Sequence, residues 1–107
     1  MKLVQSGIIT LATALVLGVA SNAYAQDDTA VLYKSKCQVC HGADGKGDTA
    51  MGKKFAIKDF HSPEVAKMSD AELFDITKKG KEKMPPYNNR LTDDQIKSLI
   101  KYVRSLK

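Results

Sequence analysis

The segment Cys37-Gln38-Val39-Cys40-His41 constrains this 107-residue chain more than any other feature. Two cysteines three positions apart, followed at once by a histidine, form the C-x-x-C-H pattern of covalent haem attachment. On one helical turn, positions i, i+3 and i+4 share a face, so both sulfurs and the imidazole can meet one flat ring. The thiols add to the haem vinyl groups as thioethers, and the imidazole binds the iron. The motif therefore predicts one covalent haem c on Cys37, Cys40 and His41.

A Cys-x-x-Cys pair also occurs in dithiol redox sites, in zinc sites and in local disulfides. A zinc site needs four ligands, and His61 is the one Cys or His residue outside the motif. A thioredoxin-like site needs a βαβ setting, which this chain lacks. Haem attachment is therefore the preferred interpretation of the motif.

The first 25 residues have the pattern of a cleavable export signal. Lys2 supplies a positive end, Ile8 to Ala20 is a mainly apolar run, and Ala23-Tyr24-Ala25 is a small-x-small cleavage site before Gln26. A retained membrane anchor is the alternative, but 13 residues at about 1.5 Å each span about 20 Å, short of a ~30 Å hydrocarbon core. We expect a signal peptide over residues 1–25, cleavage, and a periplasmic protein. Haem is attached covalently to such motifs outside the cytoplasm, so the signal and the motif support each other.

The remaining residues 26–107 are enough for one domain, which at this size buries only about 60–65% of its unfolded surface. A covalent haem at the centre would stabilise such a small core. The loss of Lys2 leaves 16 basic and 12 acidic residues, a net charge of +4. This modest positive charge favours acidic protein partners, and no basic stripe with interleaved aromatic residues suggests nucleic acid.

The mature segment is predicted to be all-α. Asp27, Asp28 and Thr29 are candidate N-caps for a helix that runs into the motif, and residues 42–62 are predicted to be a long glycine-containing loop. The capping boxes Ser69-x-x-Glu72 and Thr92-x-x-Gln95 predict two further helices. The first is expected to end at Gly80. The second carries apolar residues at helical spacing, namely Ile96, Leu99, Ile100, Val103 and Leu106.

The second axial ligand decides whether such a haem carries electrons or binds small ligands. Met84 is the preferred candidate because Pro85 and Pro86 stiffen the loop that follows it, and a stiff loop can hold a thioether in both oxidation states. Met51 and Met68 are rival thioethers. His61 is a rival that would give bis-histidine ligation.

Together these segments resemble class I monohaem cytochromes c over essentially all of residues 27–107. The resemblance implies N- and C-terminal helices that cross beside the haem, here with Tyr33 and Ala30 against Leu99, Tyr102 and Val103. Members of the family often have a proline after the attachment motif whose carbonyl orients the ligating imidazole. Ala50 stands near that position here, so a backbone carbonyl close to it is a candidate for this role.

The resulting expectation is an exported carrier of single electrons with His41/Met84 ligation, and not an enzyme. The alternatives are a haem sensor or peroxidase-like domain with a labile sixth ligand, and a binding domain whose haem is structural. The carrier would be a monomer, would not span a membrane after cleavage, and would meet redox proteins but not nucleic acid. Its docking face is expected at the lysines that precede Met84, namely Lys78, Lys79, Lys81 and Lys83.

Overall fold

A computed structural model of the protein describes residues 13–14 and 22–107, with the backbone alone described for residues 22–27. The predicted signal peptide over residues 1–25 therefore lies almost entirely outside the described residues. The described part is helical, with one isolated antiparallel bridge between Lys81 and Met84 and no strand, as predicted. Its helices are α1 (Asn22–Lys36), α2 (Gln38–His41), α3 (Ala50–Lys54), α4 (Pro63–Ala66), α5 (Asp70–Lys79) and α6 (Asp93–Ser105).

Helix α1 runs directly into the attachment motif. Cys37 is a single turn residue between α1 and α2, and its N–H still bonds the Tyr33 carbonyl at 2.9 Å. The N–H of His41 bonds the Cys37 carbonyl at 3.0 Å, which winds the motif into one compact turn. The predicted continuation is confirmed, but α1 begins at Asn22 and not at the candidate caps Asp27 to Thr29.

The segment predicted as one long loop contains two short helices. Thr49 caps α3 by accepting from the N–H of Gly52, and Ser62 caps α4 by accepting from the N–H of Val65. Pro63 occupies the first turn of α4, where a missing N–H costs nothing. These one-turn helices lie between the attachment motif and α5, and they position one lip of the cleft described below.

Both predicted capping boxes are present in full. The hydroxyl of Ser69 accepts from the N–H of Glu72, whose carboxylate accepts in return from the N–H of Ser69. Thr92 and Gln95 make the same reciprocal pair at the start of α6. Because each box satisfies two N–H groups that have no partner within the helix, it fixes where the helix begins.

The core forms where α1 and α6 cross and where α5 packs on α6. Its fully buried side chains are Tyr33, 1% exposed, and Ile96, 0% exposed. The rings of Tyr33 and Tyr102 lie 5.2 Å apart across the crossing. This confirms the predicted contact between the terminal helices. The remaining buried apolar residues are Tyr87, Leu91, Leu99 and Ile100.

Candidate haem site

One cleft brings together the four residues that the sequence singled out. Cys37, Cys40, His41 and Met84 all line a cavity of about 320 Å³, within the usual range of ligand pockets. Most of the remaining lining residues are apolar, and they come from four parts of the chain: α1, residues 55–68, α5 with the loop after it, and α6. They include Ile57, Val65, Leu73, Ile76, Leu99 and Ile100.

The attachment turn is held from outside by Thr49 and Gly52. The Thr49 hydroxyl bonds the carbonyls of Val39, at 2.9 Å, and Cys40, at 3.0 Å. A Cβ atom on Gly52 would lie 2.6 Å from the Cys40 carbonyl oxygen and 2.1 Å from that of Gly47. Only glycine permits this close approach, so α3 rests against the back of the attachment turn.

His41 has a buried ring nitrogen that no hydrogen bond satisfies. Its Nδ1 has no partner among the described residues, so the candidate carbonyl near Ala50 does not orient the ring here. The ring instead stacks on Phe60, with centroids 4.6 Å apart and planes 19° from parallel. Burial lowers the pKa of the imidazole, which keeps the ring neutral, the form that binds metals.

Neither cysteine of the motif forms a disulfide. Burial, with a smaller effect of Cys40, raises the pKa of the Cys37 thiol to about 11. In the described residues, no group of three or more His, Cys, Asp and Glu side chains is arranged to hold a metal ion.

Met84 lies on a tight turn at the end of α5. The N–H and carbonyl of Lys81 bond the carbonyl and N–H of Met84 at 3.0 and 2.9 Å. Gly80 precedes this turn with φ of 78°, and a Cβ atom there would lie 2.8 Å from both the Met84 oxygen and the Pro86 nitrogen. The turn therefore depends on glycine at its base, and it fixes the backbone of Met84.

Two tyrosines lining the cleft donate hydrogen bonds that the sequence did not indicate. The hydroxyl of Tyr33 donates to the carbonyl of Gly42 at 2.6 Å, and that of Tyr87 donates to the carbonyl of Lys36 at 3.0 Å. Burial raises the pKa of both phenols, so both remain protonated donors. The Phe60 stacking and the Thr49 contacts were likewise missed, because each joins residues that are distant in the chain.

The three rival ligands differ in whether they line the cleft. Met68 also lines the cleft, whereas Met51 is 37% exposed and lies outside its lining. His61 is exposed and does not line the cleft; its Nε2 lies 3.2 Å from the carbonyl oxygen of Asp44. The structure therefore keeps two thioethers and one imidazole at the cleft.

The four lysines of the expected docking face divide into two pairs. Lys81 and Lys83 line the cleft. Lys78 instead pairs with Asp93 at 3.1 Å and Lys79 with Asp75 at 3.8 Å, and neither lines the cleft. Two lysines outside the expected set, Lys36 and Lys58, also line it, and Lys58 pairs with Glu64.

The donor set fits a large, flat, iron-containing ring. Two thiols and an imidazole with an unsatisfied buried nitrogen share a wall of one apolar cleft, and a thioether lies on a fixed turn of the same cleft. Thioethers and imidazoles are typical haem-iron ligands.

No helix in the described ranges is both long and apolar enough to cross a membrane.

Comparison with known proteins places the chain in a family. The family model described as "Cytochrome C oxidase, cbb3-type, subunit III" matches residues 25–103. Cytochrome c6 of Thermosynechococcus vestitus (strain NIES-2133 / IAM M-273 / BP-1) is 30% identical over 98 residues, which cover 90% of this chain and 85% of that protein.

Solved structures agree with this assignment. The KustC0563 c-type cytochrome superposes with a TM-score of 0.67 at 32% identity, covering 74% of this chain and 96% of that one. A tyrosine-to-phenylalanine mutant of Kustc0563 gives the same TM-score and identity, with 75% and 99% covered. The chain therefore belongs to the c-type cytochrome family whose sequence model matches residues 25–103. It is a small, all-α, single-haem electron carrier with covalently bound haem c.

Proposed function

We propose that this cytochrome passes single electrons between redox proteins with both axial positions of its iron filled. Cys37 and Cys40 attach the haem, and His41 and Met84 bind the iron. The observation that carries the proposal is the convergence of these four side chains on one apolar cleft. When bound, the haem supplies an iron that accepts and releases one electron.

The residues around the haem would set its reduction potential. The neutral imidazole of His41, fixed against Phe60, provides one ligand without added charge. The uncharged thioether of Met84 and the apolar cleft wall disfavour the more highly charged ferric state. We therefore expect a reduction potential above that of a comparable bis-histidine site.

With His41 and Met84 both holding the iron, substrates would have no access to it, as expected for a carrier and not for an enzyme. A sensor or peroxidase-like site needs an open position with an acid–base residue beside it. His61, the remaining histidine, lies outside the cleft lining. The geometry thus favours outer-sphere transfer, in which no bond forms or breaks.

The signal pattern supports export to the periplasm, cleavage before Gln26 and a mature domain over residues 26–107, which we propose acts as a monomer. Lys81 and Lys83 at the cleft mouth support docking of acidic redox partners at this edge. Lys78 and Lys79, expected in the same face, are paired with carboxylates away from the cleft lining. They contribute less to the proposed docking face.

The ligand assignment is tested by replacing Met84 with histidine. Because imidazole donates more strongly to ferric iron, Met84→His should lower the reduction potential by roughly 0.2 V, within the ~0.8 V range that axial ligands span. The variant should also lose the red charge-transfer band of Met-ligated ferric haem. A redox titration followed by absorption measures both effects.

Met68→Leu is the parallel variant, since Met68 is the rival thioether in the same cleft. It should keep the red band and change the potential only slightly. An unchanged potential in Met84→His, or loss of the band in Met68→Leu, would reject Met84 as the ligand. Binding of carbon monoxide to the reduced wild type at a rate typical of open sites would instead favour the sensor.

A further inference from the structure

We infer that Tyr87 is a positioning residue for Met84, because its hydroxyl ties the loop that carries Met84 to the segment that carries the attachment motif. The inference rests on the proposed Met84 ligation. Nothing in the sequence pattern pointed to this residue, which follows two prolines in the same loop.

The loop that carries Met84 is joined to α5 at both ends. At its start, the N–H of Gly80 bonds the carbonyl of Ile76 at 2.8 Å. At its end, the N–H of Tyr87 bonds the carbonyl of Thr77 at 3.1 Å. With its own Lys81–Met84 turn closed by two hydrogen bonds, the loop is a stiff extension of α5. How close Met84 lies to the opposite wall therefore depends on how this unit is held against the rest of the molecule.

The Tyr87 hydroxyl links the Met84 loop to the segment that carries the attachment motif. It donates to the carbonyl of Lys36 at 3.0 Å, across 51 positions of sequence. Lys36 ends α1 and immediately precedes Cys37, so the bond reaches the residue next to the first attachment point. Carbonyls in the last turn of a helix have no partner within the helix, so this acceptor is available to the phenol.

The Tyr87 side chain is also held in place to make this bond. It is 8% exposed and packs in the core cluster with Leu91 and Leu99. The guanidinium of Arg90 lies 5.8 Å from the ring centroid. Since packing already fixes the ring, the hydroxyl loses little further freedom on bonding the Lys36 carbonyl. The bond therefore favours the arrangement in which the Met84 loop is closed on the attachment segment.

If the loop that carries Met84 moved away from the wall that carries the attachment motif, the Tyr87–Lys36 bond would be stretched or broken. A contact made in the closed state and lost in the open one shifts the equilibrium toward the closed state. Removing the hydroxyl should therefore raise the population with Met84 released, while the ring keeps the core filled.

The test compares Tyr87→Phe with Tyr33→Phe in the haem-loaded protein. Tyr33 is the matched control: it lines the same cleft and its hydroxyl donates to a backbone carbonyl, that of Gly42, at 2.6 Å. The two residues that this bond joins, Tyr33 and Gly42, both belong to the segment that carries the attachment motif, so the bond does not restrain the Met84 loop. Both variants lose one largely buried hydrogen bond, and both should unfold at a somewhat lower temperature.

Imidazole, which competes with Met84 for ferric iron, is the probe of loop release. Tyr87→Phe should bind imidazole about 3- to 10-fold more tightly than the wild type, the factor that one hydrogen bond is worth. As the pH is raised, Tyr87→Phe should lose the red charge-transfer band of Met-ligated ferric haem about half to one pH unit below the wild type, which is the same 3- to 10-fold factor expressed in pH units. Tyr33→Phe should change both measurements much less than Tyr87→Phe does.

Equal shifts in the two variants, or no shift in Tyr87→Phe, would overturn the positioning role while leaving Met84 ligation intact. Absence of the red band from the wild-type ferric protein would overturn the ligation itself and this inference with it. The two failures are therefore distinguishable from the same set of spectra.

Discussion

Gly52 lies where α3 meets the backbone of the attachment turn. Its N–H bonds the Thr49 hydroxyl at 2.9 Å, and its Cα faces the carbonyls of Gly47 and Cys40. The space for a side chain at this position is occupied by backbone oxygen atoms, which cannot rotate away as a side chain could. At the scale of single residues, the absence of a Cβ atom here keeps the haem-attachment turn in shape.

Gly52→Ala should therefore disturb the site more than its small size suggests. Its Cβ atom would meet oxygens at 2.1 and 2.6 Å, so either α3 or the attachment turn must shift. We expect a loss of about 2–3 kcal/mol in the free energy of unfolding, typical of overpacking, and reduced haem incorporation. Denaturant unfolding and the ratio of haem absorbance to protein content measure the two effects.

Ala50→Gly is the matched control, because Ala50 is exposed in the same short helix. It should cost no more than about 1 kcal/mol, the usual difference in helix propensity. If Gly52→Ala is no worse than this control, the close approach does not constrain the attachment turn.

The placement of residues at the cleft was predictable from the sequence where a local pattern brings them together. Cys37, Cys40 and His41 follow from their spacing, and they meet at one cleft because one turn of backbone suffices. Phe60, which stacks on His41 from 19 positions away, follows from no local pattern. Its role depends on how the intervening loop folds back, which only the tertiary structure shows.

Helix α6 contributes both to the cleft wall and to the crossing of the terminal helices. It contributes Leu99 and Ile100 to the wall and crosses α1. Its capping box at Thr92 and Gln95 is complete. The side chain of Arg104, near its end, bonds the Met68 carbonyl at 2.6 Å and Asp70 at 2.7 Å, which links it to the start of α5.

Removing the cap should shorten or fray α6. Thr92→Ala eliminates the acceptor for the N–H of Gln95 and should cost about 1 kcal/mol. For a domain of this size that corresponds to a fall of about 4–8 °C in the melting temperature. Ser98→Ala, at an exposed interior position of α6, should be neutral or slightly stabilising, since alanine favours helix. Equal losses would contradict the capping role; thermal unfolding followed by circular dichroism decides.

The elements that were predicted are those with local signals strong enough to stand alone. Both capping boxes occur at the predicted positions because their bonds join residues three apart. Helices α3 and α4 were missed because four or five residues give too short a pattern for helical periodicity, and tertiary contacts such as Thr49 with the attachment turn hold them. The start of α1 was misjudged because good capping residues also occur inside helices.

For the molecule as a whole, the fold class and the family followed from the sequence, whereas the charge around the cleft did not. The sequence places Lys78, Lys79, Lys81 and Lys83 in one run. Because α5 ends at Lys79 and a turn follows, two of these lysines line the cleft and the other two form ion pairs away from its lining. The ion pairs with Asp75 and Asp93 depend on that geometry, so the division into two pairs required the structure.

This division predicts that equal changes in net charge have unequal effects on electron transfer. Lys81→Gln/Lys83→Gln removes two positive charges that line the cleft. It should slow oxidation by anionic hexacyanoferrate(III) on the order of threefold at low ionic strength. The difference should largely disappear in 0.5 M salt, where the screening length falls to about 4 Å. Stopped-flow absorption at the haem bands measures the rates.

Lys78→Gln/Lys79→Gln is the control of equal charge, since both lysines are paired with carboxylates away from the cleft. It should slow the reaction much less, because neither lysine lines the cleft. A cationic oxidant should give the opposite order, with the Lys81/Lys83 variant reacting faster than the wild type. If both double variants slow the anionic reaction equally, net charge alone governs the encounter, and the cleft mouth is not the docking edge.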